Sequence, residues 1–282
     1  MNQITLEAPA KINLYLDVLG KRPDGYHDLK MIMQTVSLYD EIRLKKIHTG
    51  IELTVDASIP TGEKNTAYKA AKLMIDTFKI KSGVGIQIKK SIPIGAGLAG
   101  GSADAAAVIK GMNELFDLCQ NQEHLAQLGK KIGADVPFCV TSGTAIAEGI
   151  GEVITPLDKF VEVNIVMVKP DFSASTAYVF GKYIKDDYGV KPDIEKLINS
   201  MKNHDIKDVG KCLYNALETV TAIEYPVINE IKANFLKLGA EGSLMSGSGS
   251  TVYGIFENTE KAIFAYNQME QKYKSTFFVK TI

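Results

Sequence analysis

The chain has 282 residues, 45% of them hydrophobic, and a formal net charge of −1. That length allows a sizeable core, in one large domain or two ordinary ones. The near-neutral balance offers no basic field for nucleic acid or an anionic membrane surface, and no run of about 18 apolar residues marks a membrane span.

The opening, MNQITLEAPAKINLYL, lacks the charged start and long apolar stretch of a signal peptide. Ile12, Leu14, Leu16 and Val18 alternate as in a half-buried strand, which places Lys11, Asn13 and Tyr15 on the opposite face. Such a face is ordinarily solvated, but a lysine beside an amide also suits an oxyanion or a phosphate. In RPDGYHDL, Pro23, Asp24 and Gly25 form a turn, with Tyr26 and His27 where the chain leaves it. DEIRLKKI and GIELTVD flank His48, Thr49 and Gly50, which predicts a hairpin. Asn65 is the cap expected for a helix with Ala67, Ala70, Ala71, Met74 and Phe78 on one face. VGIQIKKSI alternates as a strand and runs into PIGAGLAGGSADAAA.

That stretch carries Gly95, Gly97, Gly100 and Gly101 ahead of a helical pattern of Ala105, Val108, Ile109, Met112 and Phe116. Ser102 is the expected helix cap. Strand, glycine loop and helix N-terminus in series make an anion site, since unpaired N–H groups and the positive dipole end meet there. The loop satisfies G-x-G-x-x-G, but LFDLCQNQEHLAQLG follows where a dinucleotide fold needs a second buried strand. It also has P-loop spacing, but Gly101 stands in place of the lysine. Phosphate is therefore held by neither standard scheme.

Further on, Asn121 starts a helix that Gly133 stops, and Asp135 follows in GADVPF. An acid between a helix end and apolar residues is either a local cap or a buried functional carboxylate. TAIAEGI reads as a strand, and Pro156 marks the boundary between domains expected at 1–157 and 158–282. The second half reads as the doubly buried strand VEVNIVMV, then helices over 193–201, 206–220 and 226–239. SLMSGSGSTVYGIF, a helix over 259–273 and the strand STFFVKTI close the chain. Both halves are α+β. Gly247 and Gly249 suit either a hairpin turn or a special backbone path. Cys119, Cys139 and Cys212 have no C-x-x-C spacing and fit free thiols in a reducing cytosol. The four histidines show no ligand spacing.

PAKINLYL, PIGAGLAGGSADAA and SGSGSTVYGIF, in this order, resemble the three motifs of the GHMP kinases, the superfamily of galactokinase, homoserine, mevalonate and phosphomevalonate kinases. PDGYH and GADVPF resemble the branch whose acceptor is cytidine diphosphate methylerythritol, an intermediate of non-mevalonate isoprenoid synthesis. The resemblance implies a two-domain α+β fold, with an N-terminal domain like the second domain of ribosomal protein S5 and a ferredoxin-like C-terminal domain. It implies a cytoplasmic enzyme that transfers phosphate from ATP, with Mg2+, to the 2-hydroxyl of that small molecule. Nucleic acid and membrane are not expected partners. Lys11 and Asp135 match the catalytic pair. Pro93, Ile94, Gly95, Ala96, Gly97, Leu98, Ala99, Gly100, Gly101, Ser102 and Ala103 match the ATP phosphate loop. Asn13, Tyr26 and His27 match residues that hold the cytidine end or orient the substrate. Phe180 matches the ring that stacks on cytosine, with Tyr178 as the alternative. Ser102 is an oxygen donor available to magnesium, and no acid is assigned to the metal. Valine at Gly97 is expected to weaken ATP binding and spare the acceptor. Another small-alcohol kinase of the superfamily, or a nucleotide-binding module without catalysis, are the rival readings.

Overall fold

The computed structural model describes residues 1–184 and 191–282. Two long strands, β1 (Gln3–Lys21) and β2 (His27–Ile47), are joined by the Pro23–Gly25 turn. Arg22 holds that turn through Asp24 and Asp28, each at 3.1 Å. The chain divides into two compact units. The first is Met1–Lys11, Leu38–Ile92 and Ala99–Ser142, and the second is Ile12–Ser37, Pro93–Leu98 and Gly143–Ile282. β1 and β2 each contribute one end to either unit.

In the first unit, β3 (Ile51–Val55), α1 (Thr66–Phe78) and β4 (Gly83–Lys89) follow β2. The expected hairpin between β2 and β3 does not form. β3 pairs in parallel with β4, and β4 pairs antiparallel with β2, so β4 lies between them. The reason is the crossover: α1 returns the chain to a position beside β3 with the same direction, as parallel pairing demands. Asn65 caps α1 as expected, its side chain accepting from Ala67 N at 2.8 Å. Ala67, Ala70, Ala71 and Met74 are buried on one face of it. The unit is completed by α2 (Gly100–Leu115), α3 (Gln122–Lys130) and α4 (Val136–Thr141). Ser102 is not the cap of α2. Ala99 holds that place with a φ of +57° and no side-chain cap bond. The helix therefore starts from a left-handed backbone turn, and Ser102 is already inside it, its N–H donating to Ala99 O at 2.9 Å.

In the second unit, β5 (Thr144–Gly149) pairs with β2 and with β6 (Val153–Pro156). The five residues of β7 (Asn164–Val168) are all buried, as its continuous apolar run requires. Then come α5 (Thr176–Lys182), α6 (Ile194–Lys202) and α7 (Ile206–Cys212). The helix expected over 206–220 is broken. After α7 the chain makes a short strand, β8 (Tyr214–Asn215), parallel to β1, before α8 (Glu218–Glu224). Asn215 explains the break: its side-chain amide donates to the carbonyls of Met245 and Gly247 at 2.7 and 2.8 Å. Helical local preference yields here to those tertiary bonds. The chain ends with α9 (Val227–Lys237), β9 (Gly242–Met245), β10 (Val252–Phe256), α10 (Thr259–Glu270) and β11 (Thr276–Lys280). β11-β7-β10-β9 form an antiparallel sheet, the strand order of a ferredoxin-like fold. Ile228, Ile231 and Phe235 of α9 and Ala262, Ala265 and Met269 of α10 share one core with Val166, Val168, Val252 and Phe256 of the sheet. Each large aliphatic or aromatic side chain fully buried there contributes roughly 1.5–3 kcal/mol.

Candidate active site

β1 is buried on both faces where the motif residues lie. Lys11 is 4% exposed, Asn13 is 0% exposed and Tyr15 is 4% exposed. The solvated face that alternation ordinarily signals is absent, and a lysine in such a place needs a charge partner. In the first unit that partner is Asp135, with Lys11 Nζ 3.9 Å from its Oδ2. Asp135 precedes α4, which has Pro137 in its first turn, but makes no side-chain cap bond. Of the two sequence readings, the local cap is thus not realised. The carboxylate side chain is 33% exposed while the ammonium is 6% exposed, so the acid faces outward from a buried cation. Below it, Cys139 N donates to Asp135 O at 3.0 Å. Burial and then the Asp135 charge push the Cys139 thiol well up, which leaves it protonated and unreactive at neutral pH.

The glycine loop has left-handed backbone at Gly95, Gly97 and Ala99. Within the second unit its tip meets the turn between β9 and β10. Ala96 O accepts from Thr251 N at 3.2 Å, and Gly97 O accepts from Ser246 Oγ at 3.0 Å. Both carbonyls are thereby committed to protein donors, which suits a loop that offers N–H groups to an anion. Ser246 Oγ in turn accepts from Asn13 N at 3.3 Å. Tyr253 donates its hydroxyl to Asn13 O at 2.9 Å, and the Asn13 amide reaches Met31 Sδ at 3.4 Å. Asn13 is thus a buried support beneath the loop's tip. A Cβ added at Gly97 would lie 2.1 Å from Ser246 O and 3.1 Å from Gly249 O. The glycine is therefore required by the packing of backbone on backbone, and the expected valine effect, confined to ATP, does not follow.

Elsewhere in the second unit, His27 and Phe180 stack with ring centroids 5.3 Å apart and 27° between planes. Burial, and then the charge of Lys21, lower the His27 pKa. Tyr178, two positions earlier on α5, is engaged differently, its hydroxyl donating to Glu224 at 3.0 Å. Tyr26 is 60% exposed. Lys11 and Asp135 are brought together, as are His27 and Phe180. Asn215 and Ser246, which hold the turn beside Gly97, escaped the sequence reading: Asn215 sat inside an apparent helix, and Ser246 was one serine among several. Among the described residues no group of three or more His, Cys, Asp and Glu gathers as a metal site, and no helix is long and apolar enough to cross a membrane.

Residues 65–143 match the GHMP kinases N terminal domain, and residues 194–275 match the GHMP kinases C terminal domain. The chain is 51% identical, over the whole of both chains, to a 4-diphosphocytidyl-2-C-methyl-D-erythritol kinase of Acetivibrio thermocellus. A Clostridium botulinum protein of the same description is 49% identical over 98% of this chain and 99% of its own. Among solved structures, a 4-(cytidine 5'-diphospho)-2C-methyl-D-erythritol kinase superposes with a TM-score of 0.86 at 31% identity, covering 99% of each chain. A homoserine kinase from Cytophaga hutchinsonii shares the fold, with a TM-score of 0.79 at 18% identity over 100% of this chain and 95% of that one.

Proposed function

Since the chain belongs to the GHMP kinases, and within them to the 4-diphosphocytidyl-2-C-methyl-D-erythritol kinase family, it is an ATP-dependent small-molecule kinase, and we propose that Asp135 is the base of its reaction. The acceptor is 4-diphosphocytidyl-2-C-methyl-D-erythritol, phosphorylated at its 2-hydroxyl. The observation that carries this reading is the pairing of an outward-facing acid with a buried lysine at 3.9 Å. An alcohol is a poor nucleophile until its proton leaves. Asp135 takes that proton as the oxygen attacks the γ-phosphorus. Lys11 offsets the charge growing on the acceptor oxygen. The loop from Pro93 to Ala103 holds the ATP phosphates, with positioning and electrostatics supplying most of the acceleration. Magnesium, when bound with ATP, would supply neutralisation of the phosphate charge. Mg2+ commonly binds through substrate phosphates and one or two protein oxygens, and Ser102, half-buried in the first turn of α2, is the donor proposed here. The free thiols Cys119, Cys139 and Cys212 fit a cytosolic enzyme. ATP consumption measured separately with the cytidyl acceptor, mevalonate and homoserine tests the assignment. Turnover with either of the last two in preference to the first overturns it.

The cytosine of the acceptor is read by Phe180 and His27, with Tyr26 next to His27 in the chain. The stack of His27 on Phe180 supports this reading over one that uses Tyr178, whose hydroxyl is tied to Glu224. Stacking of a base on an aromatic ring is worth ~1–3 kcal/mol. Phe180→Ala is therefore expected to raise the acceptor KM by roughly 5- to 100-fold and leave the ATP KM in place. Steady-state kinetics on both substrates checks it, and the same effect from Tyr178→Ala alone would move the assignment by two residues.

The lowered His27 pKa has a definite sign. A histidine with a depressed pKa is neutral at pH 7 and charges only as pH falls below its usual value of about 6.5. A neutral imidazole keeps one acceptor nitrogen for the amino group of cytosine, and the imidazolium has none. The acceptor KM of the wild type is expected to rise several-fold from pH 7 to pH 5, the loss of about one hydrogen bond. His27→Gln should lack this increment. Parallel KM profiles for the two proteins would remove His27 from base recognition.

A further inference from the structure

The glycine loop leaves the first unit after Ile92 and re-enters it at Ala99. Both stems are gripped by charged groups that the reaction does not use. Asp40, on β2, is completely buried, and its Oδ1 accepts the N–H groups of Ser91 and Ile92 at 2.6 and 2.8 Å. Those two residues immediately precede Pro93. The other oxygen of Asp40 binds Lys90 Nζ. Lys90 Nζ also donates to Asp104 Oδ2 at 2.8 Å, and Asp104 lies in the first turns of α2, just beyond the loop. The side chains of Lys90, Asp40 and Asp104 are 8%, 0% and 3% exposed. The α2 backbone comes close enough to this bridge that a Cβ at Gly100 would sit 3.4 Å from Lys90 Nζ and 3.0 Å from Ile92 Cγ2. Asp104 is the acid within an alanine-rich helix run, GGSADAAA, where burial makes a charge costly unless it is paired.

We propose that the Asp40–Lys90–Asp104 bridge is the positioning element of the phosphate loop, setting the separation of its two stems and so the affinity for the donor nucleotide. This rests on the reading of the loop as the ATP site. Two ion-paired hydrogen bonds through one ammonium join β2, the upstream stem and α2. The residues Pro93–Leu98 must then span a fixed gap, and the loop's ordering is settled before the nucleotide arrives. Preorganisation of this kind raises affinity by removing the ordering cost from binding. It acts on the donor alone, because neither Lys11 and Asp135 nor His27 and Phe180 belong to the bridge.

Asp104→Ala releases α2 from the bridge and leaves Lys90 paired with Asp40, so no buried charge is stranded. Alanine is also the best helix former. The ATP KM is expected to rise about tenfold, as the cost of ordering the loop returns to the binding step. The acceptor KM and kcat at saturating ATP should stay near wild type, and the melting temperature should fall only by the few degrees that one lost hydrogen bond costs. Asp104→Asn keeps an oxygen for Lys90 and should restore the ATP KM to within about twofold. Gly95→Ala is run beside them as a direct perturbation of the loop, since Gly95 has a φ of +62°. An ATP KM raised by Gly95→Ala but unmoved by Asp104→Ala overturns the bridge and leaves the loop assignment standing. An ATP KM unmoved by both overturns the two together. A rise in both substrates' KM with a large fall in melting temperature for Asp104→Ala shows a merely structural contact and also overturns the proposal.

Discussion

Asp135→Asn is expected to lower kcat by roughly 10²–10⁴, the loss associated with a missing general base. The substitution preserves size and removes both basicity and charge. Neither the glycine loop nor the His27–Phe180 stack includes this residue, so the KM values for ATP and acceptor should stay close to wild type. A capping aspartate would behave otherwise, because asparagine caps equally well; Asp135 makes no cap bond to lose. The substitution does take a counter-charge from Lys11, which is 4% exposed, so a melting curve belongs beside the kinetics. A folded variant with near wild-type kcat ends the assignment. A folded variant with intact KM values and the expected loss of turnover separates the chemical role from binding and stability.

Gly97→Val is expected to damage both stability and ATP binding. The residue has a φ of +76°, and its Cβ would come within 2.1 Å of Ser246 O. The obstacle is a carbonyl of the β9–β10 turn, itself tied through Asn215 to β8, and no side-chain rotation relieves it. Overpacking costs ~1–3 kcal/mol and left-handed backbone at a non-glycine residue adds ~1–2 kcal/mol. With each kcal/mol worth about 2–4 °C in a chain of this size, Tm should fall on the order of 10 °C. ATP affinity, measured by calorimetry on the remaining folded protein, should fall with it, because the tip cannot keep its bonds to Ser246 and Thr251. Gly97→Ala should act in the same direction, since the collision begins at Cβ. Unchanged melting and unchanged ATP affinity for valine would show that the loop does not rest on the turn.

Local physics made much of the chain readable without coordinates. Alternation marked β4 and the inner residues of β1, continuous apolar residues marked β7, and Asn65 marked the start of α1, because each signal depends on neighbours within a few positions. The glycine loop ahead of a helix likewise reads as a candidate anion site from its residues alone, and three motifs carry the resemblance to the GHMP kinases. Tertiary structure decided what partners those elements chose. GIELTVD was plainly a strand, yet only the return of α1 put β4 between it and β2, since a strand's edges carry no address in its own sequence. Ser102 looked like a cap by residue type, but the left-handed turn at Ala99 set where the helix begins. The helix expected across 206–220 broke because Asn215 found carbonyls at Met245 and Gly247, about thirty residues away. Lys11, Asn13 and Tyr15 read as a solvated face because alternation records one buried face and is silent on whether the other is covered. The meeting of Lys11 with Asp135, and of Lys90 with Asp40 and Asp104, lies beyond any local signal. Burial makes a lone charge costly, and only the folded chain determines which opposite charge arrives to pair it.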